Sequence, residues 1–344
     1  MADGILDEAF ARLQRTGPER DGWLSNHAPM AAEALVRHGH GDLVHRWLDA
    51  YLDLLEPRPR GIAPIAADEW RDPLGDPTRT GDWLDYFDRE LTLGPWREVL
   101  ARWWPRLLPG IAAGATHGVI RVGHAVRALL DAQTGTRVAE LGHGLAYWAA
   151  RWQPLAPPGV GPYPLTDPRS ALDAVPRVPD QRFGIRARLA QLADLPEWPA
   201  AAGAVPGRAE DQVLARLAAV VEAAVTRHAH HGYAKPVMLV HAATAPHAVL
   251  RTLPALPPAL WRPSLAAAWA AAAAVTAAYS PAVARRPPDA TPATQAAELM
   301  SLAAGTGDAH AIKFADTAID THARTGNPAT ISLAIHSVRQ IAAD

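Results

Sequence analysis

The chain has 344 residues, with 33 Lys and Arg against 35 Asp and Glu, and therefore a formal net charge of −2. A chain so close to charge balance has no excess positive charge for a polyanion, so we expect no nucleic-acid partner. The complete lack of cysteine excludes disulfides, thiolate nucleophiles and every metal site with a Cys ligand, and it leaves 15 histidines as candidate ligands.

Helices are predicted along the whole chain, since Ala and Leu dominate and alternating strand patterns are nearly absent. In chain order the predicted helices cover residues 5–15, 29–37, 43–55, 83–107, 110–131, 136–152, 185–195, 209–228, 236–253, 260–279, 294–304, 308–324 and 327–343. Pro-rich stretches at 56–80 and 154–179 are predicted as long loops, the second a surface loop or a lid. The predicted fold class is all-α: a single multi-helix domain over residues 1–344, with a metal site in the helical core.

Residues 264–279 form the one stretch that resembles a membrane span, and they are mostly alanine. The stretch is shorter than the roughly 20 residues that a bilayer requires, and Pro263 and Pro281 flank it, so we interpret it as a buried helix. The N-terminal residues are acidic and amphipathic, unlike a signal peptide. We therefore expect no membrane partner and a cytoplasmic location.

The glycines of "GIAAGATHG" (110–118) recur with three residues between them, and no predicted strand precedes them. This spacing differs from the dinucleotide fingerprint G-x-G-x-x-G, and the chain also lacks a P-loop, a G-x-S-x-G motif and an H-E-x-x-H motif. A Rossmann oxidoreductase or a serine hydrolase is therefore not predicted.

Several histidines lie inside apolar helical stretches, where an imidazole must find a polar partner. These are His27, His117, His124, His241, His247 and His310. They come from four separated predicted helices, and inward-pointing side chains of facing helices are how helical proteins build metal sites. The alternative for each residue is a hydrogen-bonded core histidine without a ligand. By contrast, His228, His230 and His231 are interpreted as a solvated helix end.

Lys313 is one of only two lysines in a chain that otherwise uses arginine, and its neighbours in "AIKFA" are apolar. Burial of an unpartnered ammonium lowers its pKa and populates the neutral amine. A neutral amine can act as a base, form a Schiff base, or add CO2 to become an anionic carbamate that ligates a metal. In the alternative interpretation the amine reaches water and pairs with Asp316 or Thr317.

Five segments in this order, "SNHAPMAAEAL", "GATHGVIRVGH", "RVAELGHGLAYWAARW", "VMLVHAATAPHAVL" and "DAHAIKFADTAID", resemble the questin oxidase-like family. The resemblance runs from about residue 20 to the C-terminus. It implies oxidative opening or rearrangement of a polycyclic aromatic or quinone polyketide, by NADPH-linked Baeyer–Villiger-type oxidation or by a non-haem iron oxygenase. We favour the metal-dependent oxygenase, because the chain has the histidines and the lysine but lacks a flavin or dinucleotide fingerprint.

The resemblance implies that His27, His117, His241, His310 and a carbamylated Lys313 are the metal ligands. His124 and His247 are then the predicted catalytic residues, either orienting the ligands or serving as alternative ones. Where relatives tend to carry a further histidine, this chain has Arg121.

Fe(II) is the expected metal, with Zn or Mn as alternatives, and the need for NADPH is left open. The expected partners are a small aromatic substrate and O2. Trp104, Tyr147 and Trp148 could wall a flat pocket, although core packing is the more ordinary role for each. Two other functions stay open: a Zn-dependent hydrolase or lyase on the same scaffold, and a non-catalytic helical protein that binds small molecules.

Overall fold

The computed structural model describes residues 2–159, 167–204, 212–287 and 295–344, and it confirms the all-α fold class. The helices are α1 (Ala2–Leu13), α2 (Ala28–Arg37), α3 (Gly41–Leu52), α4 (Thr80–Leu93), α5 (Trp96–Leu107), α6 (His117–Asp131), α7 (Gly135–Ala150), α8 (Pro168–Asp173), α9 (Ile185–Ala190), α10 (Trp198–Gly203), α11 (Val213–His231), α12 (Pro236–Leu239), α13 (His241–Thr252), α14 (Trp261–Tyr279), α15 (Ala296–Thr306), α16 (Ala309–Thr325) and α17 (Ala329–Ile341). Short 3-10 turns extend several of them, as at Leu108–Gly110 after α5.

The chain packs as two compact units. The first unit comprises Met1–Pro154 with Arg251–Leu260, and the second comprises Leu155–Leu250 with Trp261–Asp344. These units are defined by packing within the chain. The expectation of one domain over residues 1–344 stays a prediction.

In the first unit α7 packs against α4 and α6, and α2 packs against α1, α3 and α6. Helices α6 and α7 meet closely at Gly118, where an added Cβ would lie 2.8 Å from the Trp148 ring. Trp83, Phe87 and Trp103 form an aromatic cluster with ring centroids 4.9 to 5.8 Å apart. Such rings bury large apolar areas, so this cluster packs α4 against α5 within the first unit.

A small antiparallel sheet, with two strands before α2 and one after α3, was not predicted. Its strands are β1 (Thr16–Arg20), β2 (Leu24–Ser25) and β3 (Leu55–Pro57), in the order β2-β1-β3. These strands are too short to show an alternating pattern, and β1 and β3 each contain a proline. Strand β2 ends two residues before His27, one of the predicted ligands.

In the second unit α11 packs against α8, α14, α16 and α17, and α16 also packs against α15 and α17. Most of α14 is buried, as predicted for the alanine-rich stretch. Among the described residues, no helix combines the length and the apolarity that crossing a bilayer would require. The cytoplasmic location stays a prediction.

Several predicted boundaries differ from the structure. The helix predicted over 110–131 begins only at His117, because the backbone preceding it is left-handed. The predicted loop at 154–179 contains α8, and part of it, residues 160–166, lies outside the described residues. Helices predicted from 209 and from 294 likewise start outside them, and α10 was not predicted at all.

Candidate functional site

In the first unit His27 and His117 meet, with 2.8 Å between their Nε2 atoms. The His117 Nδ1 lies 2.6 Å from the Gly114 carbonyl oxygen, which can only accept, so Nδ1 carries the proton. The lone pair of the neutral His117 ring therefore lies on Nε2. The Tyr51 hydroxyl, 3.4 Å from the His27 Nδ1, can donate to that nitrogen, so the His27 Nε2–H donates to His117.

A left-handed turn places His117 at the first position of α6. Gly114, Ala115 and Thr116 have φ angles of 53°, 58° and 70°. Two of them are not glycine, and each such residue costs about 1–2 kcal/mol of conformational energy. Gly114 itself cannot be replaced without a clash, because its Cβ would overlap the Tyr147 hydroxyl. Gly114 therefore has a structural role in the stretch 110–118, where the sequence showed only that the glycine spacing differs from a nucleotide-binding motif.

His124 lies about two turns after His117 on α6 and belongs to a buried charged cluster. Its Nδ1 lies 2.7 Å from Glu33 Oε2, and Arg127 donates from Nε to Glu33 Oε1 at 2.7 Å. A carboxylate only accepts, so the His124 Nδ1 carries a proton, and the nearby Arg251 guanidinium at 3.2 Å cannot donate to it. Burial, reinforced by Arg251, lowers the pKa of His124 to about 3. His124 is therefore neutral at pH 7, with its lone pair on Nε2.

Glu33 is the residue of this cluster that sequence reasoning missed. Burial alone would raise its pKa, but Arg127 and His124 outweigh burial and lower the pKa of Glu33 to about 2. A carboxylate that holds the Nδ1–H of a histidine fixes the ring orientation and keeps the lone pair on Nε2, where it can ligate. The only sequence signal was a single acidic residue within the apolar stretch "APMAAEALV".

In the second unit His241 and His310 lie side by side, with ring centroids 5.6 Å apart and the ring planes nearly perpendicular. The His241 Nδ1 donates to the Met238 carbonyl oxygen at 3.0 Å, which again leaves the lone pair on Nε2. Burial, and then the charges of Lys313 and His310, hold the pKa of His241 well below its usual value. His241 is therefore a neutral imidazole able to act as a ligand.

Asp308 caps the helix that carries His310 and Lys313. Its Oδ1 accepts from the backbone N–H groups of His310 and Ala311 at 2.6 and 2.9 Å. Burial alone would raise the pKa of Asp308, but the His310 side chain and then these backbone hydrogen bonds lower it to about 2. An anionic cap also favours the N-terminus of α16.

Lys313 is fully buried, with 0% exposure, and its Nζ has no hydrogen-bond partner among the residues that the structure describes. Burial lowers the pKa of Lys313 to about 7, and Asp308 offsets only part of that effect. The interpretation in which the amine reaches water is therefore wrong. Thr317 contacts the backbone of Lys313 instead, since its hydroxyl donates to the Lys313 carbonyl oxygen at 3.0 Å.

His247 is held at both ring nitrogens. Its Nδ1 lies 3.0 Å from Thr317 Oγ1, and its Nε2 lies 3.1 Å from Asp320 Oδ2. Since a carboxylate only accepts, Nε2 carries a proton in this arrangement. His247 thus orients the helix face that presents Lys313, and ligation through Nε2 would first require loss of the Asp320 contact.

Across both units, His117, His124 and His241 share one feature: each Nδ1–H is held by a carbonyl or carboxylate oxygen. This is the usual arrangement of metal-binding histidines, because it fixes the ring and leaves Nε2 as the donor atom. Each of these rings can therefore serve as a nitrogen ligand for a metal.

The aromatic residues near these histidines form core. Trp104 and Trp148 are fully buried and meet edge to face at 5.4 Å. The hydroxyl of Tyr147 lies 2.5 Å from Ser25 Oγ, and burial raises the pKa of Tyr147. They brace the start of α6 within the first unit.

Comparison with known proteins supports the family resemblance. Residues 25–135 match the model of a family described as Questin oxidase-like, and this range contains His27, Glu33, His117 and His124. No curated protein matches the chain. Resemblance beyond residue 135, around His241 and Lys313, stays a prediction. Over residues 25–135 the chain is confirmed to be similar to the questin oxidase-like family.

Proposed function

We propose that the protein is a metal-dependent oxygenase that acts on an aromatic or quinone-like small molecule, with Fe(II) as the metal. The family name is that of an oxidase, which supports oxidative chemistry. The proposed ligands are His27, His117, His241, His310 and Lys313, with His124 and His247 as the residues beside them. When bound, such a metal activates O2 and orients it towards the substrate.

The buried amine of Lys313 carries the proposal. Burial of a charged lysine in an apolar site is unfavourable, so the neutral amine is populated instead. At Lys313 burial lowers the pKa to about 7. A neutral amine attacks CO2, forming an N–C bond and releasing one proton, and the resulting carbamate is an anionic oxygen ligand. The lowered pKa favours this step, since the free amine is populated at neutral pH. Arginine cannot undergo it, which explains a lysine in an arginine-rich chain.

The protein residues have separable roles in this proposal. The Nδ1 hydrogen bonds of His117 and His241 fix their rings so that each Nε2 lone pair is available. His27 must move its proton from Nε2 to Nδ1 before it can ligate, and the Tyr51 hydroxyl can then accept there. His124, neutral and held by Glu33, can accept a hydrogen bond at Nε2 from a phenolic substrate and so orient it.

Electron balance separates the two oxidative reactions. Cleavage that incorporates both oxygen atoms of O2 needs no external reductant. Insertion of one atom with release of water needs two electrons, which NADPH could supply. O2 uptake measured with and without NADPH therefore decides which of the two reactions occurs.

The test of the proposal is metal content and O2 uptake in anaerobically purified protein. We expect about one iron per chain, lost in Lys313→Arg and partly retained in Lys313→Glu, because glutamate supplies an anionic oxygen. Lys235→Met, at the exposed second lysine, is the matched control and should keep its metal. Single variants His117→Gln and His241→Gln show whether histidines of each unit are needed for the same ion.

Three outcomes would change the assignment. Stoichiometric zinc without O2 uptake would favour a hydrolase or lyase. Full iron content in Lys313→Arg would exclude a carbamate ligand. Absence of any stoichiometric metal from fresh protein would support a non-catalytic binding protein.

A further inference from the structure

The second unit contains a cleft of about 450 Å3 that lies apart from the predicted site residues. Helices α8 and α11 and the residues that follow α14 line it. A cleft of this size accommodates a drug-sized molecule. None of the seven predicted site residues contributes to its lining.

The charge of the cleft is positive. Arg169, Arg177 and Arg227 line it, and Asp173 is the one carboxylate among the lining residues. His231 adds no charge at neutral pH, because burial and then Arg227 lower its pKa. Three guanidinium groups therefore face one carboxylate, which favours an anionic ligand.

Two of the arginines are positioned by the same serine. Arg227 donates from Nη1 to Ser280 Oγ at 2.8 Å and from Nε to Asp173 Oδ1 at 3.0 Å. Arg177 donates from Nε to the Ser280 carbonyl oxygen at 3.0 Å. The terminal nitrogens of Arg177 make no hydrogen bond with the described residues. A guanidinium held by its Nε and open at its terminal edge is suited to bind a carboxylate or phosphate through two hydrogen bonds.

A buried hydroxyl in the lining gives a second, independent observation. Thr226 is 8% exposed, lines the cleft, and its Oγ1 has no hydrogen-bond partner among the described residues. An unsatisfied buried hydroxyl costs about 1–3 kcal/mol, so a polar ligand atom here would be stabilising. Val175, Ala223 and Pro281 supply an apolar wall beside it.

From this arrangement we infer that the cleft is a second ligand site, which takes a small molecule with an apolar body and one anionic group, a carboxylate or a phosphate. Arg177 and Arg227 bind the anionic group, and the apolar wall contacts the body. The site is independent of the proposed metal chemistry, and it would exist equally in an enzyme or in a binding protein.

The experiment is calorimetric titration of the full chain with three probes of matched shape: 1-naphthoate, 1-naphthyl phosphate and neutral 1-naphthalenemethanol. We expect saturable one-to-one binding of at least one anionic probe and much weaker binding of the alcohol. The preferred anion tells whether the natural ligand carries a carboxylate or a phosphate. Equal binding of all three probes, or no binding of either anion, would overturn the inference.

Variants locate the bound probe. Arg177→Gln should weaken anion binding about tenfold to a hundredfold, the effect of losing a charged hydrogen bond. Asp173→Asn should strengthen it, because it removes the opposing charge. Arg186→Gln is the control, since Arg186 is exposed, lies in the same unit and does not line the cleft.

Lys313→Met separates this inference from the proposed function. Anion binding should survive that variant even though metal is lost, and Arg177→Gln should keep its metal. Binding that is lost in Lys313→Met but unchanged in Arg177→Gln would place the probe near Lys313 and contradict the inference.

Discussion

The two units accommodate buried charge in opposite ways. In the first unit the Glu33 carboxylate is buried but accepts from Arg127 and His124, so it stays ionised. In the second unit the Lys313 amine is equally buried, yet it has no hydrogen-bond partner among the described residues and loses much of its affinity for a proton. A paired buried charge contributes to one defined structure, whereas an unpaired one becomes chemically reactive.

The largest expected effect comes from breaking the paired cluster. Glu33→Gln removes the charge that offsets Arg127, and we expect the free energy of unfolding to fall by about 3–5 kcal/mol. Urea denaturation of metal-free protein measures this loss. Glu69→Gln, at an exposed site in the same unit, should change stability little. A loss for Glu33→Gln no greater than that of the control would show that the cluster contributes nothing to stability.

The turn before His117 should be the next most sensitive feature. Gly114→Ala adds a Cβ that overlaps the Tyr147 hydroxyl and also places a side chain on a left-handed residue. Together these effects should cost roughly 2–4 kcal/mol of unfolding free energy. Gly22→Ala isolates the backbone contribution, because Gly22 is also left-handed but its Cβ would contact nothing within 4 Å.

Tyr147→Phe then tests the steric part of the explanation. Removing the hydroxyl relieves the closest overlap, so Gly114→Ala should be less damaging in the Tyr147→Phe background than in the native chain. If the two costs are simply additive, the overlap is not the cause. The same urea denaturation experiments measure both.

Sequence reasoning predicted what depends on local pattern and missed what depends on distant partners. It found the long helices but missed the short α8 and α10, because apolar periodicity is visible in one dimension only over several turns. It did not find Glu33 as the partner of Arg127, since 94 residues separate them. It placed a helix across residues 110–116, because the left-handed turn depends on contact between Gly114 and Tyr147.

The composition of the chain drew attention to Lys313, but the sequence did not show how deeply its amine is buried. "AIKFA" does not show whether the amine reaches water, since a lysine stem can cover apolar surface in either case. Full burial is settled only by the packing of α16 against α11, α15 and α17. His247 shows the same limit: its partner Asp320 lies 73 residues away.

The unpaired amine should make stability depend on pH. Between a folded-state pKa of about 7 and the ordinary value of 10.5, the unfolded chain binds one more proton at Lys313 than the folded chain does. Stability contributed by this residue therefore rises with pH across that window, by at most about 1.4 kcal/mol per pH unit. Unfolding of metal-free protein in carbonate-free buffer, at about pH 7.5 and about pH 9.5, measures the slope.

Lys313→Met isolates that slope from other titrating groups. The variant removes the amine but keeps an unbranched side chain, so the extra rise with pH should disappear while the fold is retained. At neutral pH it should be at least as stable as the metal-free native chain. Identical slopes in the two proteins would mean that Lys313 keeps an ordinary pKa, and the carbamate proposal would lose its physical basis.

The smallest effect should come from a surface ion pair of the first unit. Arg12 and Asp49 form a salt bridge, but their side chains are 31% and 67% exposed. Water screens such pairs, and ordering two side chains costs entropy, so Asp49→Asn should cost at most about 1 kcal/mol. Any loss should vanish at about 1 M salt, where the screening length is about 3 Å. Glu33→Gln should keep most of its effect in the same salt, because its partners are buried. A salt-resistant loss for Asp49→Asn would show that burial does not separate the two classes of charge in this protein.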